Sequence, residues 1–268
     1  MEIKNKVFVV TGAGSGIGRE ISRAIISKGG KVAGVDLRKE GLEELKTQLG
    51  AQSKNLFIYE ASVADKKAVS ALPQEIIKDL GSVDGLINNA GIIQPFVKIN
   101  DLDYAAIDKV MGVNFYGTLY TLKAFLPILL ERPVAHIVDI SSMGGFLPVP
   151  GQSIYGASKA AVKLLTEGLQ SELIGTNVNA TVVFPGATTT NITKNSGVES
   201  PISEEDAKNS KIPTQSPVDV ANLVVEAIEG NIPRVYAGKD SKFMNKLYRL
   251  SPGYATSLIA KQMKSLLK

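Results

Sequence analysis

The stretch 10–18, VTGAGSGIG, constrains this chain more than any other feature. It follows the apolar run KVFVV at 6–10. It leads into 17–28, where Ile17, Ile21, Ala24 and Ile25 recur at helical spacing until Gly29 and Gly30 end the pattern. Glycines at 12, 16 and 18 let a strand turn tightly into a helix. They also let backbone N–H groups approach a pyrophosphate, which then sits on the positive end of that helix. A glycine-rich turn alone is weak evidence, but a strand before it and a helix after it supply the confirming context. The spacing therefore predicts a dinucleotide site. Asp36 lies 24 residues after Gly12, at the end of the next apolar run. A carboxylate there accepts ribose hydroxyls and repels a 2′-phosphate, which predicts NAD. NADP is the alternative, because Arg38 could pair with that phosphate; an aspartate in this place also serves as a helix cap.

Beyond the loop, short apolar runs alternate with longer amphipathic ones. Strands are predicted at 32–35, 56–59, 83–87, 135–140, 178–184 and 234–237. Helices are predicted at 37–49, 65–80, 102–130 (broken near Gly112 or Gly117), 153–174 and 218–229. This order predicts an α/β fold: a doubly wound parallel sheet, Rossmann-like and three-layered, as a single domain over 1–238. The segment 186–217 is rich in Thr, Asn, Ser and Pro, with breaks at Pro201, Pro213 and Pro217, and reads as a substrate loop or lid. Residues 239–268 form a basic amphipathic tail with seven basic residues and one acid, net +6. One half carries Phe243, Met244, Leu247 and Leu250, the other Leu258, Ile259, Met263, Leu266 and Leu267. Three readings of it stand: a helix folded over the active site, an oligomer contact, or attachment to an anionic membrane surface.

Composition narrows the chemistry. The chain of 268 residues has no cysteine and one histidine, His136. Disulfides, thiolate metal sites, a cysteine nucleophile and His-rich zinc sites are thereby excluded, so no metal is expected. His136 falls inside a predicted strand and reads as structural. Net charge is +4 and, apart from the tail, the body is slightly acidic, so nucleic acid is not an expected partner. No apolar run approaches the ~18 residues that span a bilayer. The N-terminal run is too short for a signal peptide, and a cytoplasmic protein is expected.

Several further motifs fall in one order. NNAG at 88–91 follows a strand, VNFYG contains Asn114, ISS at 140–142 ends another strand, and YGASK spans 155–159. Together with TGAGSGIG, these resemble the typical single-domain members of the short-chain dehydrogenase/reductase family, over about residues 4–238. The resemblance implies a catalytic set of Asn114, Ser142, Tyr155 and Lys159. It implies cofactor contacts from Gly12, Ser15, Gly16, Ile17, Gly18, Asp36, Ser62, Val63, Asn89, Ala90 and Gly91. Tyr155, Lys159, Pro185, Gly186, Thr188 and Thr190 would complete them at the nicotinamide end. Ser62 stands where many members have an aspartate facing adenine. Within this pattern Ser142 binds the substrate oxygen, with Ser141 the alternative. Lys159 also binds the nicotinamide ribose, and Asn114 holds a water that relays the proton. A homodimer or homotetramer is implied, often paired through the helices at 102–130 and 153–174.

The residues carry a physical reading of their own. Tyr155 and Lys159 are four apart on a predicted helix and share a face. A phenol with an ordinary pKa near 10 is too weakly acidic to serve as a base at neutral pH. A neighbouring ammonium, with a positive nicotinamide, favours the phenolate and lowers that value. Such a tyrosine exchanges a proton with an alcohol or ketone while hydride moves to or from the cofactor. The runs after NNAG and before Tyr155 are apolar, and Ile93, Phe96, Phe146 and Val149 are expected to touch substrate. A hydrophobic secondary alcohol or ketone is therefore the expected partner. The competing readings are a dinucleotide-binding regulatory protein of low turnover and a sugar-nucleotide epimerase. The intact catalytic set disfavours the first. The glycine spacing and short C-terminal region disfavour the second.

Overall fold

The computed structural model describes residues 1–199 and 214–263. Pro201, Pro213, Lys264, Leu266, Leu267 and Lys268, which enter the sequence reading, lie outside the described residues. Seven strands alternate with helices: β1 (Val7–Thr11), β2 (Lys31–Asp36), β3 (Leu56–Glu60), β4 (Gly85–Asn88), β5 (Ala135–Ile140), β6 (Val178–Pro185) and β7 (Arg234–Ala237). They pair in the order β3-β2-β1-β4-β5-β6-β7, every pair parallel. Strands buried on both faces read as near-continuous apolar runs. β1 and β5, VFVVT and AHIVDI, are buried at every position, and β5 buries the polar His136 and Asp139 with them.

The helices form the outer layers. On one face α1 (Gly16–Ser27), α2 (Lys39–Leu49) and α8 (Pro217–Gly230) seat Ile21, Ile25, Leu42, Leu45, Val224 and Ile228 in a common core with Phe8 and Val32. On the other face α3 (Lys66–Leu80), α5 (Gly117–Leu130) and α6 (Ser153–Glu172) bring Leu72, Ile76, Phe125, Leu129 and Leu169 against Val9 and Ile137. Each such side chain taken out of water is worth ~1.5–3 kcal/mol. The two cores clamp the sheet and fix the strand ends that carry the site. Strand order reverses between β1 and β4, so the loops after these two strands diverge and open a crevice at the carboxyl edge.

Two predicted segments resolve more finely. The stretch expected as a broken helix at 102–130 is α4 (Tyr104–Met111), one π-helical turn (Gly112–Tyr116) and α5. Its whole length, Tyr104–Leu130, is long and apolar enough to cross a membrane by length and composition. That corrects the reading of no such run. It packs here as a core helix, with Thr121, Leu122, Phe125 and Leu129 buried. The loop predicted at 186–217 contains the short helix α7 (Ile192–Ser196), and its ends are tied by a parallel bridge between Thr188 and Gln215.

The tail forms α9 (Lys239–Leu250) and α10 (Pro252–Gln262). Met244, Ala255 and Ile259 close a small core with Leu147, joined by Met143 and Phe146. Asp240, the one acid of this segment, accepts a hydrogen bond from the Ala187 amide (2.8 Å) and ties α9 to the loop after β6. The tail is thus folded onto the segment that follows Ser142.

His136 lies buried in β5, with Nε2 2.8 Å from the Thr181 hydroxyl. That hydroxyl donates to the Ile232 carbonyl (2.7 Å), so Nε2 carries the hydrogen and Nδ1 is bare. Burial holds the imidazole at about 4, below its ordinary 6.5. The folded state therefore binds fewer protons than the unfolded state between these values. Stability should be full above pH 6.5 and fall toward pH 4, by up to about 3 kcal/mol. Urea midpoints measured across that range should show the slope, and His136→Gln should lose it. Equal slopes in both proteins would contradict this assignment.

Candidate active site

The crevice between the β1 and β4 loops is a cleft of about 400 Å³. Its near wall is the glycine loop. Gly12 has φ +66°, a left-handed conformation suited to glycine, and a Cβ there would lie 2.9 Å from Asn89 Nδ2 and 3.0 Å from Ala90 Cα. A methyl on Gly18 would overlap the Gly12 carbonyl and the Asn89 amide. These absent side chains let α1 start hard against the sheet and keep the cleft open along its backbone. Thr11 Oγ1 accepts from the Asn89 and Ala90 amides (3.0 and 3.1 Å), and Asn89 Nδ2 donates to the Thr11 carbonyl (3.0 Å). The NNAG segment is thereby bolted to β1. The cradle fits an extended dinucleotide.

Of the predicted cofactor contacts, Gly12, Ser15, Gly16, Ile17, Asp36, Ser62, Val63, Asn89, Ala90, Gly91, Pro185, Gly186, Thr188 and Thr190 all line this one cleft. Gly18 stands behind them as a packing contact. Asp36 accepts from the Gly14 amide (2.9 Å) and the Arg38 amide (3.1 Å). It does not cap α2, whose N-cap residue is Arg38. Arg38 donates to Asn195 Oδ1 (2.8 Å), and Asn195 Nδ2 donates to Ser15 Oγ (2.9 Å). This bridge carries α7 across the cleft from the end of β2 to the glycine loop.

Ser142, Tyr155 and Lys159 also line the cleft. Ser142 is delivered by the end of β5, and the other two by the first turns of α6. The Ser142 side chain is the neighbour that eases ionisation of the Tyr155 hydroxyl. Lys159 is buried, and its Nζ donates to the Ile140 carbonyl (2.8 Å). Ser141 and Ser142 both line the cleft; Ser141 Oγ donates to the Lys159 carbonyl (2.7 Å) and so holds α6 to β5.

Burial raises the Tyr155 pKa, and the Ser142 side chain offsets it only partly. The Lys159 ammonium is itself desolvated, its pKa lowered to about 8, with Asp139 opposing that shift.

Asn114 sits in the π-helical turn, fully buried. Its side chain accepts from the Ile92 amide (2.9 Å) and donates to the Ile92 carbonyl (3.0 Å) and to Ser158 Oγ (2.9 Å). The side chain therefore locks the loop after NNAG to α6. Its backbone carbonyl accepts from Thr118 Oγ1 (2.9 Å).

Among the predicted substrate contacts, Ile93 lines the cleft, whereas Phe96 and Val149 stand outside its lining. Phe146 is a correction. Its ring packs edge-on against Phe184 and Tyr236, with centroids 5.6 and 5.8 Å away, beneath α9. An aromatic cluster under the tail competes for that ring and takes it from the cleft.

Three contributors escaped the sequence reading. Gln94 is buried, and its Oε1 accepts from the Ile154 and Tyr155 amides (2.8 and 3.0 Å), capping the helix that bears the tyrosine. Lys109 of α4 lines the cleft and lies 3.5 Å from the Ser196 carbonyl. Asp139 of β5 lies fully buried, held by Asn88 and Thr166 (2.8 Å each). Only the VDISS string marked the last. A cap supplied from 60 residues away has no local signature.

Fold and cleft together define an α/β nucleotide-cleft protein with a serine, a tyrosine and a lysine on the cleft wall. The family model described as short chain dehydrogenase matches residues 6–200, and the chain belongs to that family. SadH of Mycobacterium tuberculosis, which carries only a provisional oxidoreductase designation, is 32% identical over 265 residues, covering 96% of this chain and 95% of that protein. A short-chain dehydrogenase/reductase of Burkholderia phymatum, solved with NAD, superposes with a TM-score of 0.83 at 28% identity, covering 93% and 96% of the two chains. The closed form of a serine dehydrogenase with NADP⁺ gives 0.76 at 29% identity, covering 86% and 93%.

A side chain at position 18 must push the Gly12 carbonyl away, and the anion cradle with it. Gly18→Ala should lower affinity for the dinucleotide at least about tenfold and cost roughly 1–3 kcal/mol of stability. Titration of reduced-cofactor fluorescence and a denaturant melt check the two effects. Unchanged affinity would remove the glycine loop from the binding site.

Proposed function

We propose that this chain is an NAD(P)-dependent oxidoreductase, with NAD preferred, acting between a hydrophobic secondary alcohol and the corresponding ketone. The observation that carries the reading is the meeting of Ser142, Tyr155 and Lys159 on the wall of the cleft that the glycine loop opens. The nicotinamide cofactor, when bound, accepts or donates the hydride. Tyr155 exchanges the proton at its Oη with the substrate oxygen. Ser142 donates a hydrogen bond to that oxygen and stabilises its developing charge. Lys159 supplies the cation that favours the phenolate and binds the ribose. Asn114 holds the loop after NNAG and offers its carbonyl in the π-helical turn to a relaying water. Asp36, free of any cap role, supports the NAD preference, since its carboxylate opposes a 2′-phosphate.

The hydrophobic substrate class is supported by Ile92, Ile93 and Val113 on the cleft wall. The cation on that side, Lys109, lies within reach of the Ser196 carbonyl. The proposal extends to a homo-oligomer. Tyr104 and Tyr116 on the 104–130 helix are exposed at 83% and 46%, and Leu164 on α6 at 69%. Apolar surface on these two helices fits a second copy of the chain.

Tyr155→Phe should reduce turnover of a hydrophobic alcohol roughly 10²–10⁴-fold while cofactor affinity stays nearly unchanged. Asp36→Ala should weaken NAD and relax discrimination against NADP. A panel of alcohols and ketones with both cofactors reads both variants. Stronger use of NADP than NAD by the unmodified protein would overturn the cofactor preference. For the oligomer, Leu164→Glu should shift the mass seen by light scattering toward the monomer. An unmodified protein that is already monomeric would end that part of the proposal.

A further inference from the structure

The tail is settled on the protein by one face only. Along α9, Ser241 and Met244 are buried against the body, and Asp240, the one acid of the tail, is spent on the Ala187 amide (2.8 Å). The opposite face carries Lys239, Lys242, Phe243, Lys246, Arg249 and Leu250, all exposed. They recur at the three- and four-residue spacing of one helix face. Phe243 and Leu250 stand among the cations of that stripe, 59% and 85% exposed. Tyr254, 61% exposed, follows in the first turn of α10, and Lys261 is exposed near the end of that helix. The sequence continues as KSLLK at 264–268, with two further lysines and no acid.

Single apolar side chains scattered over a surface are ordinary, but three gathered along one stripe and the turn after it form a patch. The inner contacts of the tail are already made by Met244, Ala255 and Ile259 against Leu147, so Phe243, Leu250 and Tyr254 are not needed to hold it down. The cations are not needed for that either. Among the described residues, Lys239, Lys242, Lys246, Arg249 and Lys261 form no ion pair. The outer face therefore suits a partner that is negative and apolar at once. An anionic bilayer surface offers both: charged headgroups for the lysines and arginine, and the acyl boundary beneath them for the phenylalanine, leucine and tyrosine. A nucleic-acid backbone satisfies the charges but leaves the apolar side chains in water. A second copy of the same face sets like charges against each other.

We propose that the outward face of α9, with the turn into α10, docks the protein on the surface of an anionic membrane. The contact is peripheral. The helix lies in the plane of the interface, its cations among the headgroups and Phe243, Leu250 and Tyr254 dipping below them. None of these residues lines the cleft, so the docking stands independently of the oxidoreductase reading.

The chain has no tryptophan, so Leu250→Trp puts a sole reporter into the stripe. Ile174→Trp is the control: Ile174 is also exposed, but it precedes β6 at the amino edge of the sheet, whereas the tail follows β7 at the carboxyl edge. The whole protein is mixed with phosphatidylcholine vesicles, either pure or with about one third phosphatidylserine. Emission of Leu250→Trp should shift to the blue, and be quenched by brominated acyl chains, on the anionic vesicles only. Ile174→Trp should not respond. In co-sedimentation at low salt the unmodified protein should pellet with the anionic vesicles. Lys242→Glu with Lys246→Glu, and separately Phe243→Ser with Leu250→Ser, should each weaken that partition at least about tenfold. All four positions are exposed, so the melting temperature should be kept. No binding of the unmodified protein to anionic vesicles overturns the proposal, as does an equal response of both tryptophans. Retention on double-stranded DNA, with vesicle binding weakened by the charge reversals but not by the serine pair, overturns it in favour of a general polyanion site. A serine pair that lowers the mass seen by light scattering, in a protein that ignores vesicles, overturns it in favour of a second copy.

Discussion

The reversal of strand order between β1 and β4 is the constraint from which the rest follows. Right-handed crossovers on either side send the following loops in opposite directions, and the gap between them has no chain to fill it. Everything placed at the carboxyl edge of the sheet then faces one cleft. The glycine loop can line that cleft only because α1 approaches β1 closely, where Gly18 meets the Gly12 carbonyl without a side chain between them. Thr11 and Asn89 fasten the β4 loop to the same strand end. Ser142 arrives from β5 next door, and the ordinary geometry of a helix then sets Tyr155 and Lys159 one turn apart.

Within the cleft, desolvation and charge oppose each other. Burial raises the phenol of Tyr155 and lowers the ammonium of Lys159, and both shifts work against a phenolate beside a cation. Ser142 and Asp139 act in the other direction, one on each partner. The site therefore balances desolvation against the polar groups that surround each partner, with the Ile140 carbonyl holding the lysine.

Much of this was legible in the sequence because it depends on local pattern. Continuous apolar runs such as KVFVV marked buried parallel strands, and glycines at 12, 16 and 18 marked the crevice. The motifs NNAG, ISS and YGASK named the cleft residues in advance. What escaped depends on contacts between distant segments. Phe146 looked like a substrate contact, but its ring is claimed by Phe184 and Tyr236, from strands that follow it by more than 30 residues. Gln94 caps a helix that begins far along the chain, and Lys109 reaches the cleft from a helix face that periodicity alone could not orient. The burial that raises the Tyr155 phenol is equally absent from the local pattern. Proximity to a lysine can be read from spacing, whereas depth of burial cannot.

The most direct test of the central claim is the titration of the Tyr155 phenol itself. Phenolate absorbance is followed against pH as the difference between the unmodified protein and Tyr155→Phe, with and without oxidised nicotinamide cofactor. The expected result is a midpoint above the ordinary value near 10 in the free protein, falling well below 10 when the positively charged ring is bound. A midpoint that stays high in the presence of saturating cofactor would contradict the assignment of Tyr155 as the acid–base group.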